Sequence, residues 1–447
     1  MKDLCHNIEN DRVRAVSVNP VKLAPGLGAG YAAQGFRKAV PFYHSAPGCS
    51  FLSKVLLTQH FMEPVASAGS DIKETALIFG ETLELQNSIQ KFCEKSKPEI
   101  VFILSSSIPE IKGEEYTTIL NYLKTKFSDI KFILVPAPDF QGGFSEGFAD
   151  LVYRAIVELA ESDGFSDKKI NGQINFLPAP YMTVGDIDEF VEIAESFDLK
   201  TIVIPDLSSG PDGSREKYSG MSVQGTSLEH LILSGRSIAT ISAGESMKSA
   251  GEFLEKRHGV RHVHFNSITG LSASDDLIRQ FMILSSRTEV PRRVKKYRAR
   301  LKDLMVDTHL VLSNKNIAMA LEADHVIAMK SILNEIGVFS EISVAPVVNA
   351  KNGNSENMIV GTLYDIEQKI ESGSPVDALF AGTHGQELAK KYNVPLVRSG
   401  FPLTDRYGMN YNISIGYKGS IYLIRELANI LVDKEKSCAW HLQQKME

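Results

Sequence analysis

Cysteine is scarce in this 447-residue chain: only Cys5, Cys49, Cys93 and Cys438 occur. Four thiols are too few for a disulfide framework, and no CxxC pair or Cys/His cluster marks a zinc site. A surplus of basic residues is also lacking. Lys+Arg is 48 against Asp+Glu 54, a formal net charge of −6, which argues against a dedicated nucleic-acid binder with a basic footprint. No uncharged apolar run reaches the roughly 18 residues that a membrane span needs. The polar, charged stretch Met1–Arg12 has no signal-peptide hydrophobic region. A soluble protein of a reducing cytoplasm is expected. Walker A, HExxH and EF-hand sequences are missing as well, so phosphate and zinc chemistry lack support.

What is present is ordinary globular composition, 43% hydrophobic and 23% charged, which sets disorder and coiled coil aside. At about 150 residues per domain, the length suggests roughly three domains, each long enough to bury a core. Short apolar runs alternate with amphipathic stretches. Ile100–Leu104, Lys131–Pro136, Ile174–Leu177 and Thr201–Pro205 read as strands. So do Ile317–Leu321, Ser343–Val347, Met358–Val360, Ala378–Ala381 and Leu396–Val397. Helices are predicted over Tyr116–Phe127, Phe148–Glu161 and Gly185–Phe197. Strands alternating with helices of this length imply βαβ units and parallel sheets covered on both faces. Polar linkers are expected at Glu161–Asn171 and near Ser286–Pro291. The predicted architecture is three tandem Rossmann-like αβα domains with mostly parallel sheets, over residues 1–165, 166–290 and 291–447.

Gly26-Leu27-Gly28-Ala29-Gly30 is glycine-rich, but Tyr31 stands where the third glycine of a dinucleotide fingerprint belongs. Close backbone packing at a helix start is the better reading. Gly244-Glu245-Ser246-Met247-Lys248 begins like a nucleophile elbow, yet Lys248 replaces the required glycine, so a strand-to-helix turn is expected. Arg292, Arg293, Lys295, Lys296, Arg298, Arg300 and Lys302 form a basic run that turns acidic at Asp303 and Asp307. A solvated inter-domain helix accounts for it better than a nucleic-acid patch.

Cys93 follows Leu85, Ile89 and Phe92 at helical spacing and is expected in the core. Cys5 and Cys438 lie in polar terminal segments. Cys49 differs, because it sits between Pro47-Gly48 and a helical run. Unpaired N–H groups and the positive dipole end there favour thiolate, the form that binds metal. Gly48 would let a bulky ligand approach. The alternative is a buried structural cysteine. A cubane iron–sulfur cluster wants four thiolates. If Cys49 is a ligand, a partner chain must supply the rest.

Asn19-Pro20-Val21-Lys22, Leu27-Gly28-Ala29, Pro41–Cys49 (PFYHSAPGC) and His60–Pro64 (HFMEP) stand in an order that resembles the N-terminal core of nitrogenase-type β subunits. Ser105–Glu115 (SSSIPEIKGEE), Pro138-Asp139-Phe140 with Gly143 and Gly147, Thr183–Asp186, Pro205–Ser208, Asp307-Thr308-His309 and Gly400-Phe401-Pro402 extend the match across nearly the whole chain. In catalytic β subunits three cysteines hold an eight-iron cluster. The motifs place those positions at Ala24, Cys49 and Ser107 here. Retention of Cys49 alone resembles the NifN family, β-like subunits of the NifEN scaffold.

That resemblance implies a role in assembling the nitrogenase iron–molybdenum cofactor, without an active site of the chain's own. It implies an α2β2 heterotetramer with a NifE-like α subunit, transient docking of the nitrogenase Fe protein, and a cofactor precursor bound by the partner. It also implies a 4Fe–4S cluster shared between subunits, with Cys49 as metal ligand and Gly48 and Ser50 shaping the pocket. His44 would stand near the cluster or pack on a strand end; Ser107 would line the interface. Glu110 would be a cap or turn residue. Two other readings stay open: a catalytic β-like subunit of a nitrogenase-like reductase acting on nitrogen, tetrapyrroles or sulfur compounds, and an unrelated α/β ligand-binding protein.

Overall fold

A computed structural model of the chain describes residues 21–72, 82–160, 168–210, 220–347 and 358–446. Cys5, Asn19, Pro20, residues 161–167 of the first expected linker, and the side chain of Cys438 lie outside the described residues. Three parallel sheets follow one another along the chain, each with helices on its faces.

The first layer holds α1 (Pro25–Ala33), β1 (Ala39–His44), α2 (Pro47–Phe61), β2 (Ala68–Gly69), α3 (Thr82–Ser96), β3 (Ile100–Ser105), α4 (Ser107–Lys112), α5 (Thr117–Lys126), β4 (Lys131–Pro136) and α6 (Phe144–Leu159). Its strand order is β2-β1-β3-β4. β3 (IVFILS) is buried at every position, as an unbroken apolar strand must be when helices cover both faces. β1 was not among the predicted strands. Pro41 interrupts its run, and only pairing with Ala68–Gly69 on one side and β3 on the other reveals it. Helix α6 starts at Phe144, earlier than predicted, because the Glu146 carboxylate accepts the Gly143 N–H at 2.8 Å and caps the first turn.

The glycine run packs against this helix, as expected. α1 crosses α6 so closely that a Cβ on Gly28 would lie 1.9 Å from the Phe144 carbonyl oxygen. A Cβ on Gly147 would lie 1.9 Å from that of Pro25. Only residues without a side chain allow the two backbones to touch.

The middle layer holds β5 (Ile170–Leu177), α7 (Val184–Glu195), β6 (Lys200–Val203), α8 (Leu228–Ser234), β7 (Ser237–Ala243), α9 (Lys248–His258), β8 (Arg261–Phe265) and α10 (Leu271–Ser285), in strand order β6-β5-β7-β8. Ile170 and Asn171, expected in the linker, already belong to β5. β7 and β8 carry Ser, Thr, Arg and His at intervals, which hid them from an apolar-run reading. The third layer follows α11 (Arg292–Asp307) and α12 (His309–Leu312). It holds β9 (Ile317–Ala320), α13 (Ala323–Glu335), β10 (Ser343–Ala345), β11 (Ile359–Val360), α14 (Leu363–Glu371), β12 (Ala378–Ala381), α15 (Gln386–Lys391) and β13 (Leu396–Arg398). Its order is β11-β10-β9-β12-β13. The long α16 (Gly416–Met446) then packs on α10, α11 and α12.

One continuous apolar core runs through all three layers. Carboxylates of one layer also cap helices of another. Asp324 accepts the Glu245 and Ser246 N–H groups at 3.1 Å each. Glu335 accepts those of Leu271 at 2.6 Å and Ser272 at 2.9 Å. Asp186 accepts those of Ser414 at 2.6 Å and Ile415 at 3.2 Å. Each satisfies N–H groups that a helix start leaves without partners. The basic helix α11 bridges layers as expected. Arg293 reaches Glu189 at 2.9 Å, and Arg298 grips Asp275 at 2.8 and 2.7 Å. Arg292, Lys295, Lys296, Arg300 and Lys302 face solvent. No helix among the described residues is long and apolar enough to cross a membrane.

Candidate functional site

Four segments meet at the carboxyl edge of the first sheet, the edge where parallel α/β sheets place their ligands. Ser106 donates both its N–H (3.1 Å) and its hydroxyl (3.0 Å) to the His44 carbonyl, which joins the loop after β3 to the end of β1. Ser107 Oγ accepts the Asp139 N–H at 2.8 Å, and Lys22 Nζ donates to the Asp139 carbonyl at 3.1 Å. The segments around residues 22–24, 44–50, 105–115 and 138–140 thus form one edge.

Cys49 stands in the first turn of α2, behind Pro47, whose fixed φ and missing N–H suit a helix start. The thiol is free and exposed, so the alternative of a buried structural cysteine does not apply. Gly48 is exposed too, and a Cβ built on it would meet nothing within 4 Å. Space beside the thiol is therefore open. Ser50 turns its hydroxyl back to the Pro47 carbonyl at 3.0 Å. Ala24 is exposed at the cap of α1, and Ser107 opens α4 with its hydroxyl engaged by Asp139. Large apolar side chains of these same segments face outward: Phe51 is 69% exposed, Leu52 58%, Ile111 74% and Phe140 62%. Exposed apolar residues grouped on one edge mark a surface that another molecule covers.

Behind the thiol lies a polar network that no sequence motif announces. His44 is buried at the end of β1. Its Nδ1 lies 2.8 Å from Ser70 Oγ and its Nε2 2.8 Å from Glu114 Oε2. The strand-end placement expected for His44 holds. Glu110, in the first turn of α4, accepts a short hydrogen bond from Ser105 Oγ and so ties the helix to β3, a turn role. Tyr116 meets the His44 ring edge-on, and burial raises its phenol above the usual range, aided by Glu114 and Glu110. Glu114 and Ser70 were not singled out in the sequence, because their role depends on loops joining far-apart positions.

Cys93 is buried among Leu85 and Ile89 as expected, and burial pushes its thiol up to about 12, with Glu94 adding to the shift. It has no thiolate to offer. A second concavity, of about 820 Å³, opens where α6, the Gly244 turn and the start of α13 converge. Gly244 has φ +80, the left-handed region that favours glycine, and it forms the strand-to-helix turn expected there. The carboxylates of this cavity are engaged: Asp324 caps the Glu245 turn, Glu245 pairs with Lys248 at 3.2 Å, and Glu322 accepts from Ser145 at 2.8 Å. Burial pushes Glu322 up to about 7.

Comparison with known proteins matches residues 24–432 to the family described as nitrogenase component 1 type oxidoreductase. The nitrogenase iron-molybdenum cofactor biosynthesis protein NifN of Nostoc sp. is 31% identical over 431 residues, covering 95% of each chain. NifN of Rhodobacter capsulatus is 31% identical over 94% of this chain and 92% of its own. The nitrogenase molybdenum-iron protein beta chain of Clostridium pasteurianum is 30% identical over 95% of each. Among solved structures, nitrogenase Cp1 at pH 6.5 superposes with a TM-score of 0.87 at 29% identity, over 94% of each chain.

Proposed function

The chain belongs to the nitrogenase component 1 type oxidoreductase family, and from that premise we propose that it is the β-like subunit of a scaffold on which the nitrogenase iron–molybdenum cofactor is matured. In this reading it pairs with a NifE-like α subunit in an α2β2 complex in the cytoplasm. Residues 1–165 carry the shared edge; residues 166–290 and 291–447 complete the three-domain frame. The nitrogenase Fe protein docks transiently, and the cofactor precursor resides on the partner. The chain has no catalytic residue of its own.

The carrying observation is the donor set at the edge. Cys49 is a free, exposed thiol with open space beside it, whereas Ala24 and Ser107 stand where catalytic β subunits carry cysteine. One thiol fits one corner of a 4Fe–4S cluster and no more. The remaining ligands must come from another chain, and the exposed Phe51, Leu52 and Ile111 offer that chain an apolar seat. Cys49 would bind iron, Gly48 leaves the approach clear, and Ser50, its hydroxyl turned to Pro47, walls the pocket. Such a cluster, when bound, supplies one-electron transfer.

A second reading is a catalytic β-like subunit of a nitrogenase-like reductase. The 30% identity to the Clostridium pasteurianum beta chain favours it, and an interface 4Fe–4S cluster suits both. Ala24, which cannot ligate iron, and Ser107, a poor substitute for thiolate, weigh for the scaffold. Family membership removes the reading as an unrelated ligand-binding protein.

The test is iron content and reduced-state EPR of the complex co-purified anaerobically with its α-like partner, with the precursor supply omitted. Cys49→Ser is expected to lose or strongly alter the 4Fe–4S signal. An unchanged iron count and spectrum would refute the role of Cys49. Substrate reduction by the complex, supplied with Fe protein and nucleotide, would transfer support to the second reading.

A further inference from the structure

Resting on the reading that Cys49 holds one corner of a redox cluster, we propose that the His44–Glu114 pair takes up one proton for each electron that enters at the Cys49 edge. His44 is a positioning residue in this role, acting through charge rather than contact.

The geometry suits a one-proton change. His44 ends β1, five residues before Cys49. Its carbonyl accepts both donors of Ser106, so the imidazole and the loop that flanks the edge are held by one residue. Its ring is buried with a partner at each nitrogen: Ser70 Oγ at Nδ1 and Glu114 Oε2 at Nε2, both at 2.8 Å. In the neutral ring, Nε2–H donates to Glu114 and the Ser70 hydroxyl donates to Nδ1. After proton uptake Nδ1–H donates instead, and the Ser70 hydroxyl turns to accept. No polar atom loses its partner in either state, so the change requires no rearrangement.

Other buried histidines lack this arrangement. His60 and His325 have no carboxylate partner, and burial lowers each to about 3, which keeps them neutral. The groups facing the pair are few. Lys112 Nζ lies 3.7 Å from Glu114 Oε1, Glu110 is held by Ser105, and Asp71, next to Ser70, is exposed. Tyr116 keeps its proton, because burial raises its phenol. A negative charge added at an edge that a partner covers is weakly screened, and it favours the protonated form of a nearby acceptor. The electron comes from a one-electron donor protein, and the proton comes from solvent past the partly exposed Glu114. Oxidation returns both.

The experiment is a potentiometric EPR titration of the intact complex, with dithionite as reductant, repeated from pH 6 to 8.5. One proton per electron moves the midpoint potential tenfold in equilibrium constant per pH unit, which is about 59 mV. The wild type is expected to show a slope approaching that value over part of the range. His44→Gln is expected to flatten it, and Glu114→Gln to shift its position on the pH axis. Should His44→Gln fail to assemble, Glu114→Gln decides alone. A wild-type potential independent of pH, or slopes unchanged in the variants, would overturn the coupling and leave the role of Cys49 standing. A signal that persists in Cys49→Ser would instead overturn the reading beneath it.

Discussion

Glu322→Gln should stabilise the protein at alkaline pH and leave it nearly unchanged at acid pH. Glu322 lines the cavity between the layers, where its Oε2 accepts the Ser145 hydroxyl and Glu146 and Asp324 add repulsion. Burial, the largest cause, moves its carboxyl from an ordinary 4.5 to about 7. A folded state that binds the proton more tightly than the unfolded chain is favoured at low pH. That advantage is full below about 4.5 and is lost as pH rises through about 7. The full shift corresponds to about 3 kcal/mol at 1.36 kcal/mol per unit. Glu322 is only partly covered and the cavity admits water, so screening reduces this to roughly 1–3 kcal/mol. Gln keeps the acceptor for Ser145 and carries no charge. Urea unfolding of wild type and variant at pH 5, 6.5 and 8 reads the difference. The variant should gain roughly 1–3 kcal/mol at pH 8 and within 0.5 kcal/mol of nothing near pH 5. A difference that does not change with pH, or a loss at pH 8, would refute the reasoning.

Three further outcomes follow from the packing. Gly147→Ala forces a Cβ to 1.9 Å from the Pro25 carbonyl, so α1 and α6 must separate. A destabilisation of at least about 1–3 kcal/mol is expected by urea denaturation, and a neutral result would show that the crossing is looser than the contact implies. Asp324→Ala strips the Glu245 and Ser246 N–H groups of their acceptor, which should cost about 1–3 kcal/mol and speed amide exchange at the Gly244 turn. In a Cys5→Ser/Cys438→Ser background, a thiol reagent should modify Cys49 in the free native chain and reach Cys93 only on unfolding. Equal labelling rates would contradict the burial of Cys93.

The exposed apolar residues around Cys49 give the shared-site reading its physical content. Phe51, Leu52 and Ile111 would each gain burial worth about 1.5–3 kcal/mol if fully covered, and they belong to the segments that converge on the thiol. Covering them also excludes water from the edge, which strengthens every electrostatic interaction there. A chain that offers one ligand and an apolar rim is organised for assembly with another chain.

Much of this was determined by the sequence itself. Ile100–Ser105, Lys131–Pro136 and Ala378–Ala381 are apolar over four to six residues, because strands buried on both faces must be, and period alone reveals them. The place of Cys93 on an apolar helical face, the turn at Gly244 and the helical start at Pro47 are local matters of spacing and backbone preference. Cys49 was legible for the same reason. Tertiary structure alone decided the rest. β1, β7 and β8 become strands through pairing with distant neighbours, not through their own periodicity. The tolerance of the glycine run for a crossing helix depends on Gly147, more than a hundred residues away. His44 finds Ser70 and Glu114 only when three loops close on one sheet edge. Local preference acts over a few residues of chain; hydrogen-bond partners and desolvation are set by whatever the fold brings within a few ångströms, and sequence distance carries no record of that.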